Sequence, residues 1–227
     1  MITREAFEKS LKTPIDCWGQ LSPAAVENLL NKEVAKMVGF DQNNPHHCHD
    51  LFMHTLYTVA SLPENASSLL RCAAFFHDIG KPVVAKEKNG RKVFYGHASQ
   101  SEKIARKILK KLHYSESEIE EICFYIVHHD DFISWVLPTE TYDSNNQYMI
   151  PITIENMEKH FEKAKKKEPL LNRNELSEKE VWMKLLQLCC ADVEAQAENV
   201  FANGKLKDSK KHKLEKLVLI KDLMQSM

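Results

Sequence analysis

Apolar residues recur at three- and four-residue spacing almost from one end of this chain to the other. That is the pattern of amphipathic helices packed on a shared core. The rhythm predicts helices near 3–12, 22–38, 48–61, 64–79, 98–112, 117–130, 152–167, 178–202 and 208–225. Six Gly and eight Pro in 227 residues leave little material for a turn-rich all-β fold. One segment breaks the rhythm. From Val83 to Tyr95 the chain reads VVAKEKNGRKVFY, and Asn89-Gly90 is the dipeptide of a tight I′ turn. A small hairpin is expected there, and no other sheet. The polar stretch 138–151, bounded by prolines, reads as a loop long enough to be a lid. The expected fold class is all-α, a helical bundle with one small β-hairpin.

Charge excludes little and invites less. Net charge is -1 with 28% charged residues, the signs interspersed, so no membrane or DNA partner is expected. Basic runs at 163–167 and 205–213 read as solvated helix faces. The six cysteines form no C-x-x-C pair, and Cys72, Cys123 and Cys189 sit in apolar helical runs as small core residues do. The first residues lack an apolar h-region and no apolar run reaches 18 residues, so a reducing, cytoplasmic setting is expected.

Nine of the eleven histidines fall between positions 46 and 129, a concentration that a structural protein has little reason to keep. His77-Asp78 ends the run ENASSLLRCAAFFHDIGKP, a helix apolar on nearly every side and therefore buried, stopped by Gly80 and Pro82. Two ionisable neighbours at the inner end of a buried helix need partners, and a divalent metal satisfies both. His54 lies one helix earlier, 23 residues before His77, the span of a helical hairpin. Far downstream, Ser177 and Glu180 match a capping box, with Leu176 and Val181 as its staple. Counting on, Val181, Leu185, Leu188, Asp192 and Ala195 share a face. Asp192 thus sits on an apolar stripe, where an unpaired carboxylate is too costly. Two His and two Asp form a mixed nitrogen and oxygen set suited to Fe, Mn, Zn or Mg, with Ni and Co also admitted.

The order H … HD … D, with the strings QNNPHHCHDLFMHTL, AAFFHDIGKP and NGRKVFYGHASQS, resembles the HD-domain superfamily of metal-dependent phosphohydrolases. Within it, the likeness is to the HD domain that follows the nucleotidyltransferase region in bacterial tRNA CCA-adding enzymes. The resemblance covers about 43–200 of a single domain over 1–227, with helical extensions at both ends. The first forty residues are too short for a nucleotidyltransferase domain, so CCA addition is not expected. The resemblance implies one or two divalent metal ions, with His54, His77, Asp78 and Asp192 as ligands of the first. His97, and His128 or His129, stand where dinuclear members carry further ligands; helical phase leans to His129 as the inward one. Asp78 is the expected bridging and proton-accepting group. Lys81 would set a positive charge by a phosphate oxygen, and His47 would touch the leaving group or ribose.

A separate zinc site on His46, His47 and His49 is disfavoured for want of a C-x-x-C partner, and His113, His160 and His212 read as surface residues. The expected function is hydrolysis of a phosphomonoester or phosphodiester of a nucleotide, a phosphorylated small molecule or an RNA end. The alternatives are a non-catalytic metal- or nucleotide-binding regulatory module and an RNA-binding accessory domain.

Overall fold

The computed structural model describes residues 2–139, 150–172, 177–202 and 205–227. Its centre is a pair of helices that the sequence leaves almost no choice but to bury. Helix α5 (Leu51–Ala60) starts at Asp50, whose side chain accepts from the Met53 N–H at 2.9 Å. Helix α6 (Ser68–Phe76) starts at Ser67 in the same way and buries every residue from Leu70 to Phe76. That includes Arg71, whose guanidinium donates to the carbonyl of Val59 in the last turn of α5 and to those of Pro63 and Glu64 beyond it.

Four short N-terminal helices, α1 (Arg4–Ser10), α2 (Pro14–Trp18), α3 (Pro23–Leu29) and α4 (Lys32–Ala35), lie before this pair. They close its back with an aromatic cluster in which Phe7, Trp18, Phe75 and Phe76 meet at 5.1–6.2 Å between ring centroids. The helix expected over 22–38 is broken, because Asn31 turns outward and caps the second piece by accepting from the Glu33 N–H at 2.8 Å.

After α6 the chain makes a tight turn over 77–80 into the one-turn helix α7 (Lys81–Val84). The hairpin β1 (Lys86–Lys88) and β2 (Arg91–Val93) follows where it was expected. Asn89 and Gly90 both have positive φ, 52° and 73°, as a I′ turn requires. Helices α8 (His97–Lys111) and α9 (Glu116–His128) pack on each other and on α6. Gly80 is what allows α7 to approach α8: a Cβ there would lie 2.6 Å from the Ser101 nitrogen. Its N–H instead donates to Ser101 Oγ at 2.9 Å.

Beyond α9, β3 (Trp135–Val136) pairs in parallel with β4 (Ile150–Pro151), and α10 (Ile154–Lys165) leads to a 3-10 turn at Pro169–Asn172. Residues 140–149, most of the stretch read as a lid, and Leu176 of the expected staple lie outside the described residues. The Ser177–Glu180 capping box is formed, and it starts α11 (Glu178–Glu194), which packs against α5 and α12 (Lys210–Ser226).

The class is all-α, as the periodicity predicts, but three two-stranded sheets accompany the helices among the described residues rather than one. The expected helix 178–202 stops at Glu194, and β5 (Asn199–Ala202) turns back to β6 (Lys205–Ser209). The sequence between these strands holds Asn203-Gly204, the same signal as Asn89-Gly90. No described helix is long and apolar enough to cross a membrane.

Candidate metal centre

Five segments deliver imidazoles and carboxylates to one place. His54 comes from the first turns of α5, His77 and Asp78 from the turn after α6, and His97 from the first residue of α8. His129 and Asp130 follow α9, and Asp192 lies near the end of α11. Gly96, with φ 78°, makes the left-handed turn that starts α8 and aims His97 inward.

Each of the four imidazoles is tethered by Nδ1 to a backbone carbonyl: His54 to Ala195 at 3.3 Å, His77 to Ala74 at 2.7 Å, His97 to Phe94 at 3.0 Å and His129 to Ile126 at 2.7 Å. A carbonyl only accepts, so Nδ1 carries the proton and Nε2 is directed into the group. The Nε2 atoms then crowd the carboxylates. His54 lies 2.8 Å and His77 3.5 Å from Asp192 Oδ1, and His77 lies 3.2 Å from Asp78 Oδ2. On the other side His97 lies 3.2 Å from Asp78 Oδ1 and 3.3 Å from Asp130 Oδ2, with His129 Nε2 at 3.2 Å from His97 Nε2.

Asp78 therefore spans two ligand groups with different oxygens. Oδ2 faces His77 and His54, and Oδ1 faces His97 and His129. Ligand atoms of His54, His77 and Asp192 lie within 4.8 Å of one another, as do those of His77, Asp78 and His129 and those of His97, His129 and Asp130. The fit to a cation rests on atoms left without a hydrogen bond: His54 Nε2, His77 Nε2, Asp78 Oδ1 and Asp192 Oδ1 are all buried and make none. Buried polar atoms in that state are costly unless something else satisfies them. Imidazole nitrogens fixed by backbone tethers, beside carboxylate oxygens, are the donor set and support that a divalent ion uses.

Electrostatics show the same demand for positive charge. Burial works against charging His77, but Asp78 and Asp192 lift it to about 10. His97 is lifted to about 9 against its burial by Asp130 and Asp78. Despite burial, Asp78 is held well below the usual carboxylate range by His77 and Lys81, and Asp192 by His54 and His77. His129, buried beside other imidazoles, moves down.

Residues 46–157 match the family model of the HD domain. The HD domain is the unit of a superfamily of metal-dependent phosphohydrolases. The match contains His54, His77, Asp78, His97, His129 and Asp130 and ends before Asp192. A CC-adding tRNA nucleotidyltransferase of Thermus thermophilus is 36% identical over 105 residues, 44% of this chain and 24% of the relative. The chain thus spans about a quarter of that protein's length.

Around the group the matched stretch and its flanks enclose a cavity of about 490 Å³, lined by Asp78, Lys81, His97, Asp192 and, further out, Phe94 and Tyr95. Lys81 is buried, with Nζ 2.6 Å from Asp78 Oδ2 and 3.0 Å from Gln42 Oε1. His47 lines the same cavity and packs edge-on to His54 at 4.7 Å, and burial together with the charge of Lys81 pushes it down to about 2, keeping it neutral.

Of the two candidates His128 and His129, it is His129 that faces the group, and His128 points elsewhere. It stands one residue from His129, about 100° round the helix. Its Nδ1 meets Asp131 at 2.6 Å, its Nε2 lies 3.4 Å from Glu168, and its ring packs on Phe124 at 4.6 Å. His160 is no free surface residue either. It is half-buried, 3.0 Å from Asp131 and against Phe132, Trp135 and Trp182. His113 is exposed and His212 half-buried.

His46, His47 and His49 diverge to Lys213, His54 and Tyr57, so they build no common site. Sequence reasoning left Asp130, Gln42, Gln196 and Lys213 out of the site. The doublet His129-Asp130 repeats the His77-Asp78 pattern of an imidazole and a carboxylate just past a buried helix, which is the signal that could have raised Asp130.

Proposed function

We propose that this chain hydrolyses a phosphomonoester or phosphodiester of a nucleotide or an RNA end with the help of one or two divalent metal ions. The single observation that carries the reading is Asp78, whose two oxygens face two different sets of imidazoles at the floor of an open cavity. A divalent ion bound among these side chains supplies Lewis acidity and an activated water. The residues do the rest. His54, His77, Asp78 and Asp192 would hold a first ion, and Asp78 with His97, His129 and Asp130 a second. Asp78 is the carboxylate placed to accept a proton from the attacking water. Lys81, fixed by Asp78 and Gln42, places positive charge at the cavity wall where a phosphate oxygen gains negative charge. Neutral His47 offers a hydrogen-bonding edge to the leaving group or ribose.

The RNA end is included because the similar Thermus protein is named for acting on tRNA. A reducing compartment such as the cytoplasm suits six unpaired thiols. The test is metal analysis of protein purified without chelator, then phosphate release from nucleotides, cyclic nucleotides and RNAs ending in 2′,3′-cyclic or terminal phosphates. Chelator and Asp78→Ala should each abolish release. A metal-loaded chain silent on every substrate, or an Asp78→Ala variant as active as the parent, would sink the reading and leave the metal- or nucleotide-binding module.

A further inference from the structure

We infer that Gln196 and Lys213, both beyond the stretch that matches the HD domain, form an oriented relay that holds Asp192 toward the metal group. The inference rests on the metal reading above and deepens it.

Asp192 uses its two oxygens differently. Oδ1 faces His54 and His77, whereas Oδ2 accepts a hydrogen bond from Gln196 Nε2 at 3.1 Å. Gln196 Oε1 in turn accepts from Lys213 Nζ at 2.7 Å. The direction of this chain is forced. An ammonium has three donors and no acceptor, so the amide must give Lys213 its oxygen, and its NH₂ is thereby turned to Asp192. The remaining ammonium protons have acceptors too: His46 Nδ1 at 2.9 Å and Asp208 Oδ2 at 3.2 Å. Since Lys213 donates to His46 Nδ1, that nitrogen carries no proton. The 3.7 Å between it and Asp208 is thus two acceptors sharing one ammonium, not an ion pair.

Gln196 and Lys213 are both buried, at 5% and 7% exposure. A lysine has reason to be there only if its charge is used, because burying an ammonium is expensive. The fold supplies the reach. Strands β5 and β6 reverse the chain after α11, and α12 returns along α11 with Lys213, Leu217, Ile220 and Met224 as its buried row. The C-terminal segment is therefore a strut: it fixes an amide, the amide occupies one oxygen of Asp192, and the other oxygen is left pointing at His54 and His77. Gln196 and Lys213 line the same cavity, and in this relay they are positioning residues that act through Asp192.

The test measures Mn²⁺ affinity of the full chain by calorimetry with chelator competition, independently of turnover. Lys213→Met and Gln196→Met keep side-chain volume and remove the relay. Each should weaken Mn²⁺ binding by about ten- to a hundredfold, the scale for groups that orient metal ligands. The double variant should lose no more than the stronger single one, because both cut the same chain. Lys211→Met, on the exposed side of α12, should bind as the parent does. If Lys213→Met fails to fold, Gln196→Met carries the test alone. Folded single variants with parental affinity, or a double variant whose loss is the product of the two, would overturn the relay while metal-dependent hydrolysis by the parent stood. A parent that takes up no Mn²⁺, Fe²⁺ or Zn²⁺ would overturn the metal reading and the relay with it.

Discussion

At the scale of single residues, Asp192 shows what a carboxylate does that its amide cannot. Asp192→Asn keeps the shape but offers one oxygen where two are used, Oδ1 toward His54 and His77 and Oδ2 toward Gln196. If the amide oxygen stays inward, its NH₂ meets the NH₂ of Gln196; if it flips, the NH₂ meets the imidazoles. The expected outcome is a loss of about one to two orders of magnitude in Mn²⁺ affinity with the helical content kept. Calorimetry beside circular dichroism checks it, and unchanged affinity would refute the placement. The position of Asp192 was legible because Val181, Leu185, Leu188 and Asp192 form an i, i+4, i+7, i+11 row, and all four are buried. Lys213, Leu217, Ile220 and Met224 form the same row in α12, yet Lys213 was assigned to a solvated basic run. The composition of the run KKHK hid the phase of one lysine within it. His128 and His129 show the limit of phase alone: both are shielded from solvent, and only their partners separate them.

Elements are held in register by contacts that no local pattern announces. Arg4 of α1 reaches Glu118 of α9 through two guanidinium hydrogen bonds at 3.0 and 2.5 Å, and lies over the Tyr114 ring at 4.0 Å. Glu118 also closes the capping box of α9 with Ser115. Glu118→Gln separates the two roles, since glutamine serves in a capping box but carries no charge. Arg4 holds the Glu118 carboxyl down from 4.5 to about 2. A depressed carboxylate contributes stability that is present above its unfolded value and lost as pH falls through the folded one. The pair is partly exposed, so the contribution is about 0.5–1 kcal/mol after solvent screening. Urea unfolding should show Glu118→Gln less stable by that amount at pH 7, with the deficit shrinking as pH falls from about 4.5 through about 2; a deficit that does not shrink would assign the loss to the cap.

Among the elements themselves, the first hairpin was readable because Asn89-Gly90 sits between short runs with no helical period. The second was not, because the apolar rhythm of α11 runs on past Glu194 into β5 and hides the break. Helix ends marked by Asp50, Ser67, Ser115 and Ser177 follow ordinary capping chemistry.

For the whole molecule, the metal group is a statement about topology. Its residues come from positions 54 to 192, on helices α5, α8 and α11 and the turns after α6 and α9, so no short stretch of the unfolded chain can assemble it. A cation that binds the folded chain and not the unfolded one must stabilise it by mass action. At a hundredfold excess over the dissociation constant the gain is about 2.7 kcal/mol. For a chain of this size that corresponds to a rise of about 5–10 °C in the unfolding midpoint. The same measurement on Asp78→Ala separates binding from folding. Asp78 is buried and ion-paired with Lys81 at 2.6 Å, so removing its carboxylate leaves that buried ammonium with Gln42 alone and costs stability. The variant in chelator should therefore unfold below the parent in chelator but still in one cooperative transition, and added Mn²⁺ should move it little. Scanning calorimetry of both proteins, with and without metal, decides it. A parent midpoint indifferent to every divalent ion tried would show that the cluster holds itself together by proton sharing among its own imidazoles and carboxylates. A variant that collapses in chelator would instead make Asp78 a structural residue of the turn after α6.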